Sequence, residues 1–254
     1  MNKLTASDSF IKTEGLVSLW DFQEKEGDSF IAKGPYPYKL QEMNGAVDVL
    51  EAPIAGGKAI DLSDHRWLSI ARDECPMLNI HGAAAQFSVT AWVKRTERTS
   101  SGCEFVAGIW NETNKLRQYG LFINLEIWDS SEQACGHVSA VGGPTPGYKY
   151  CMTSAIGTTP VAKDEWHFIV FTYNGSESTI YLDGVLDRRE GYNPFPYPDG
   201  IFDGGKDGAD FTVGAVNRSG EIGNFYHGLL GCLAVYNRAL SEKEITELYS
   251  STAK

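Results

Sequence analysis

The stretch WHFIVFTYNGSESTIYLDG, from Trp166 to Gly184, reads as a β-hairpin. Two runs rich in β-branched and aromatic residues flank Asn174 and Gly175, which stand where a tight turn needs them. A second stretch, HGLLGCLAVYNRALSEKEITELY from His227 to Tyr249, is an apolar strand followed by a helix. Ser241 as N-cap and Glu244 three residues on form a capping box, and Ile245, Leu248 and Tyr249 make the apolar stripe. No other segment carries a helix signature of this kind.

Working outward, GLVSLWDF (Gly15 to Phe22) alternates with period two but is apolar on both faces, so it predicts a strand buried on most of its surface. KAIDLSDHRWLSI (Lys58 to Ile70) reads as a hairpin turning at Ser63 to His65. In QFSVTAWVKR, Phe87, Val89, Ala91 and Val93 share one face, which is expected to point into the core between two sheets. Further strands are expected at EFVAGIW, YGLFINLEIW, GHVSAV, DFTVGAV and GLLGCLAVY. No repeat of 20 to 50 residues is visible, which disfavours a propeller or a solenoid.

The 254 residues are enough for a sizeable core, and all-β sandwiches of this length commonly form one domain. We expect residues 15–254 to be that domain and residues 1–14 an N-terminal extension. Lys plus Arg number 22 against 33 Asp plus Glu, a net charge of −11, which disfavours nucleic-acid binding. Neutral sugars or calcium fit this charge better. No apolar run approaches the roughly 20 residues of a membrane helix, so membrane insertion is not expected, and the amino-terminal MNKLTASDSF lacks the apolar region of a signal peptide. Five cysteines, at positions 75, 103, 135, 151 and 232, show no C-x-x-C spacing, against zinc ribbons and redox dithiols. Cys135 and Cys151 flank the loop GGPTPG, where a hairpin-spanning disulfide and free thiols both remain open. Asn111, Asn174 and Asn217 head N-glycosylation tripeptides, which matter in a eukaryotic secretory pathway.

These segments resemble the laminin-G-like jelly roll of the concanavalin A-like lectin/glucanase superfamily. Phe87 to Val93 matches the family's F-T-I-S-A-W-V strand, Trp166 to Tyr173 its W-H-h-V-x-x-T-Y strand, and Tyr181 to Gly184 its Y-x-D-G turn. Gly228 to Tyr249 matches the closing G-x-I-D-x-V-x-I-Y-N-R-A-L-S-x-x-E-I-x-x-L-Y signature. Two departures stand out. The signature's acidic position is Gly231 and the arginine near it is Ala234, and a longer segment through PYPYKLQEMNGAVDV replaces the D-x-S-G-N-G-N-D-G loop that often follows the first strand. The resemblance implies an all-β, two-sheet antiparallel jelly-roll sandwich with one short C-terminal helix. It further implies an exported, extracellular bacterial module that binds carbohydrate or serves adhesion.

Sugars bind such folds by stacking on aromatic rings while amides and carboxylates take the hydroxyls. Trp92 projects away from the Phe87 face, so it either lines the exposed sheet or packs under a loop. The loop from Glu190 to Asp210 combines Tyr192, Phe195 and Tyr197 with Asp199, Asp203, Asp207 and Asp210 among glycines. Its rings form a sugar platform or pin the loop to the sandwich. Its aspartates offer calcium the hard oxygens it requires, or they are a solvated turn. Two alternatives to a non-catalytic lectin remain: a glycan-processing enzyme, hydrolase or lyase, and a protein-binding domain. A retaining hydrolase needs two carboxyls about 5 Å apart, and LEIWDSSE, with Glu126, Asp129 and Glu132, does not present that pattern. A lyase needs a His or Tyr base near Arg or Gln, and His137, Tyr148, Tyr150, Arg117 and Gln118 supply the types without showing that they meet.

Overall fold

A computed structural model of the protein describes residues 6–97 and 102–252. Helix α1 (Ala6–Lys12) precedes β1 (Leu16–Trp20), β2 (Lys25–Glu26), β3 (Ser29–Ile31), β4 (Lys39–Glu42) and β5 (Asp48–Glu51). Next come β6 (Lys58–Asp61), β7 (Leu68–Ile70), β8 (Phe87–Arg95), β9 (Glu104–Ile109), β10 (Tyr119–Ile123), β11 (Gln133–Val138) and β12 (Ser154–Pro160). The chain continues through β13 (His167–Tyr173), β14 (Glu177–Leu182), β15 (Val185–Leu186), β16 (Phe195–Pro196), β17 (Phe211–Val213), β18 (Val216–Arg218) and β19 (Glu221–Gly223). It closes with β20 (Gly228–Tyr236) and helix α2 (Glu242–Thr252).

The first sheet runs β15-β14-β13-β8-β20-β6-β5, with β1 also on β20 and β16 on β14; the second runs β12-β11-β10-β9-β17-β7-β4-β3-β2. Each is a nine-stranded sheet with antiparallel ladders, and together they make the expected jelly-roll sandwich. Phe87, Val89, Ala91 and Val93 point into the core between the sheets, where they meet Tyr119, Leu121 and Ile123 from the second sheet. Each such side chain, fully removed from water, contributes about 1.5–3 kcal/mol.

Lys58 to Ile70 departs from the hairpin expectation. Its halves do not pair: β6 joins β20 and β5 in the first sheet, while β7 joins β17 and β4 in the second. Residues 62–67 are therefore a crossover between sheets, a distinction that period-two alternation cannot make. The segment that replaces the family's early loop supplies β4 and β5, so it extends both sheets.

The outer face of the first sheet is covered. Trp92, Phe168, Val170 and Tyr181 meet Ile245 and Leu248 of α2 and Phe10 of α1 in a second apolar cluster. Residues 6–12 thus form a helix with Phe10 fully buried, where sequence placed an extension outside the domain. The seven-residue helix is too short to stand alone and is held by packing. Gly231 has a packing reason for its departure from the family pattern: a Cβ there would stand 2.1 Å from Cδ1 of Ile54. Ile54 occupies the place of the missing acidic side chain, and the ladder bulges between Gly231 and Ala234.

The capping box of α2 forms as read. Ser241 Oγ accepts from the Glu244 amide at 3.3 Å while Glu244 Oε2 accepts from the Ser241 amide at 2.8 Å. Ser241→Ala should lower stability by about 1 kcal/mol, measured by urea denaturation; an unchanged midpoint would mean that packing alone fixes the helix start.

Candidate ligand-binding groove

Among the described residues no α-helix covers the outer face of the second sheet, and the centre of that face is aromatic. Phe122 on β10 and His137 on β11 alternate with the core residues Leu121, Ile123 and Val138, and Trp110 follows Ile109 at the end of β9. Alternation across strands therefore places the three rings on one floor. The His137 ring stacks on Trp110 with centroids 5.2 Å apart and meets the edge of Phe122 at 5.3 Å. Gly120 between them is required by close approach: a Cβ would lie 2.8 Å from Phe122 and 2.9 Å from Phe105 ring carbons.

Three segments wall this floor into a cavity of about 280 Å³. Glu126 and Ile127 come from the loop after β10, Tyr150 and Cys151 from the loop after β11, and Arg218 and Asn224 from the β18–β19 hairpin and the residues after it. The first loop turns through positive φ at Asn124, Glu126, Trp128, Asp129 and Glu132. Such conformations cost about 1–3 kcal/mol each unless surrounding bonds impose them. Asn124 supplies those bonds, donating to the Gly102 carbonyl at 2.9 Å and accepting from the Glu132 amide at 2.8 Å. Beyond the cavity, Trp128 meets Tyr148 at 6.3 Å and Tyr192 at 6.1 Å, with the Arg189 guanidinium 4.7 Å from the Tyr192 ring centre.

The polar groups are held in defined states. His137 Nδ1 lies 3.0 Å from the Thr153 carbonyl, so it carries the proton and donates. Nε2 has no partner among the described residues, and the residue lines the cavity. Burial is the largest influence on the ring and pushes its pKa down to about 4; the Thr153 carbonyl and Glu112 oppose it, and Arg117 adds to it. His137 is thus a neutral imidazole offering an acceptor. Glu112 accepts from Trp110 Nε1 at 3.3 Å and faces Arg117 at 3.7 Å, and the Arg117 guanidinium lies over the Trp110 ring.

Of the four rings expected from the sequence to bind sugar, one reaches the groove. Trp92 is 3% exposed and stacks on Tyr249 of α2, so it packs under the helix and offers no platform. Tyr197 is 7% exposed; its hydroxyl accepts from the Ala140 amide and its carbonyl accepts from the Tyr173 hydroxyl. Phe195 lies partly buried against the main core, and these two rings pin their loop. Tyr192 reaches the groove rim through Trp128.

The four aspartates do not converge. Asp203 is engaged by the Gly205 amide, Asn79, Arg72 and His81, and Asp210 accepts from the Arg72 amide, while Asp199 and Asp207 are exposed. Among the described residues, no group of three or more His, Cys, Asp or Glu side chains is placed to hold a metal ion.

Of the five separate lyase pieces, His137 and Tyr150 line one cavity, and Arg117 lies over Trp110. Tyr148 stands at the rim. Gln118 is turned away to Arg72, Asn79 and the Phe202 carbonyl. Cys135 and Cys151 share an apolar cluster yet both are free thiols. Trp110, Phe122 and Trp128 were not singled out from sequence. Alternation marks Trp110 and Phe122 as facing away from the core, but which sheet the helices leave uncovered is a tertiary fact.

An antiparallel two-sheet sandwich, closed by a capped C-terminal helix and carrying an aromatic groove on its uncovered face, has the architecture of the lectin-like jelly rolls. The family model described as the concanavalin A-like lectin/glucanases superfamily, of laminin-G type, matches residues 74–246. The chain belongs to this superfamily. The calpain-type cysteine protease DEK1 of Zea mays is 30% identical over 103 residues, or 38% of this chain, and the match spans 5% of that protein's length. Domain 4 of AbnA, a GH43 extracellular arabinanase from Geobacillus stearothermophilus, solved with arabinotriose, is similar with a TM-score of 0.61 and 18% identity, over 92% of this chain and 98% of that one. The ligand binding domain of botulinum neurotoxin serotype D, solved with N-acetylneuraminic acid, gives a TM-score of 0.56 and 13% identity over 93% of this chain and 50% of that one. At these identities the likeness shows the fold. No helix among the described residues is long and apolar enough to cross a membrane.

Proposed function

We propose that the protein is a non-catalytic carbohydrate-binding module that holds a neutral oligosaccharide in the groove over Trp110, Phe122 and His137. The observation that carries this reading is one open cavity that brings the exposed ring of Tyr150 together with an unpartnered acceptor, His137 Nε2, above the packed floor of Trp110 and Phe122. A pyranose or furanose needs that combination, an apolar face to stack and fixed polar atoms for its hydroxyls. Arabinotriose in the similar AbnA domain supports the ligand class. Glu112 and Glu126 both act as hydrogen-bond acceptors, from Trp110, Asn124 and Gly102, a posture that positions hydroxyls and does not supply a general acid. An exported, extracellular location goes with this ligand.

A second reading, a glycan-processing enzyme, rests on the neutral His137 beside Tyr150 in the same cavity. One experiment separates the two: a panel of neutral and acidic polysaccharides assayed for binding and for released reducing ends or unsaturated products. Binding without product is expected. Tyr150→Ala, at a residue 49% exposed, should weaken binding about tenfold, the loss of one stacking contact of about 1–1.5 kcal/mol, with an unchanged melting temperature. Product from any glycan overturns the non-catalytic reading, and silence across the panel overturns the carbohydrate one.

A further inference from the structure

The cavity at His137 does not end at Trp110. A second hollow, of about 90 Å³, shares Trp110 with it and is lined by Trp67, Asp210, Thr212, Asn217 and Ile222 among others. Thr212 belongs to β17, where Phe211 and Val213 point into the core, so its side chain faces outward into the hollow. It is 9% exposed, yet its Oγ1 is buried without a hydrogen-bond partner. A buried hydroxyl left in that state costs about 1–3 kcal/mol, and native structures rarely leave one without a reason.

Beside it, Asp210 Oδ1 accepts from the Arg72 amide while Oδ2 has no partner among the described residues. The Asn217 side-chain carbonyl accepts from Thr113 Oγ1, which leaves its Nδ2 as a donor. A third hollow, lined by Ser29, Gln41 and Ser69, continues across the sheet and shares Asp210 with the second.

We infer that the groove has a second sugar subsite at Thr212, so that its ligand is a linear, uncharged glycan chain running past Trp110 from the His137 cavity into this hollow. The inference rests on the carbohydrate reading above and adds the length and charge of the ligand. Trp67 and Trp110 supply apolar walls on this side, and the hydroxyl, amide and carboxylate supply one group of each hydrogen-bonding kind. Glu112 and Glu126 in the first cavity, Asp210 in the second, and a net charge of −11 act against polyuronates and sulfated chains.

The test is calorimetric titration of the full chain with cello-, xylo- and arabino-oligosaccharides of increasing length. In the ladder that binds, affinity should rise at least tenfold from the shortest binder to the longest. Thr212→Val, nearly isosteric and free of the orphan hydroxyl, should remove most of that gain, leave the shortest binder's affinity unchanged and raise the melting temperature. Trp67→Ala should act in the same direction. Length-independent affinity in the unmodified chain, or full length dependence in Thr212→Val, overturns the second subsite and leaves the carbohydrate reading intact. Absence of binding by every ladder and by the wider polysaccharide panel removes both.

Discussion

Replacing Arg95 with methionine is expected to lower the unfolding free energy by about 3–5 kcal/mol, the usual penalty for breaking a buried ion pair from one side. Arg95 ends β8 in the first sheet and Glu104 begins β9 in the second, so the pair ties the two layers at one end of the sandwich. Both are 1% exposed, with Nη2 to Oε1 at 2.7 Å, and Nη1 donates to the Val161 carbonyl at 2.7 Å. Methionine fills most of the volume but removes the cation that faces the buried Glu104 carboxylate. Much of the penalty belongs to that buried charge, so Arg95→Met combined with Glu104→Leu should recover part of the loss. Urea denaturation of the two single variants and the double variant measures it. A loss under about 1 kcal/mol in Arg95→Met would place Glu104 in contact with water.

Acid should destabilise the protein by about 3 kcal/mol through His137 alone. In the folded chain this imidazole takes a proton only near pH 4, whereas an ordinary imidazole titrates near 6.5. Between those values the unfolded chain binds a proton that the folded chain does not, so falling pH favours unfolding. The contribution is fully present above pH 6.5 and is lost as pH drops to about 4; each pKa unit corresponds to about 1.4 kcal/mol. The groups facing the ring, Glu112 and Arg117, pull in opposite directions and leave burial dominant. His137→Asn keeps a donor toward the Thr153 carbonyl but does not titrate, and its stability should vary less between pH 7 and pH 4. Equal slopes for the two proteins would move the titration to another residue.

The elements most legible in the sequence were those with strong local signals. β8, β13, β14, β20 and the capped helix lie where alternation and the capping box put them. What sequence missed follows from tertiary arrangement. Whether Lys58 to Ile70 turns back on itself or crosses between sheets depends on partners far along the chain. Trp92 has the alternation of an outward-facing residue and does face outward, but the helices cover that side and leave the other sheet open. The groove walls come from three loops over a floor of strand residues, and of the loop from Glu190 to Asp210 the groove keeps Tyr192 at its rim and Asp210 in its second hollow. The positive-φ run from Asn124 to Glu132 carries no glycine to announce it.

Asn111 and Asn217 form an isolated bridge and both line the second hollow. Each heads a glycosylation tripeptide, and an attached glycan would grow from the side-chain nitrogen. At Asn217 that nitrogen is the donor beside Thr212. A host that modifies the site would build a covalent sugar into the space proposed for a free one. The choice of expression system is therefore a choice between an open groove and one the cell has already filled.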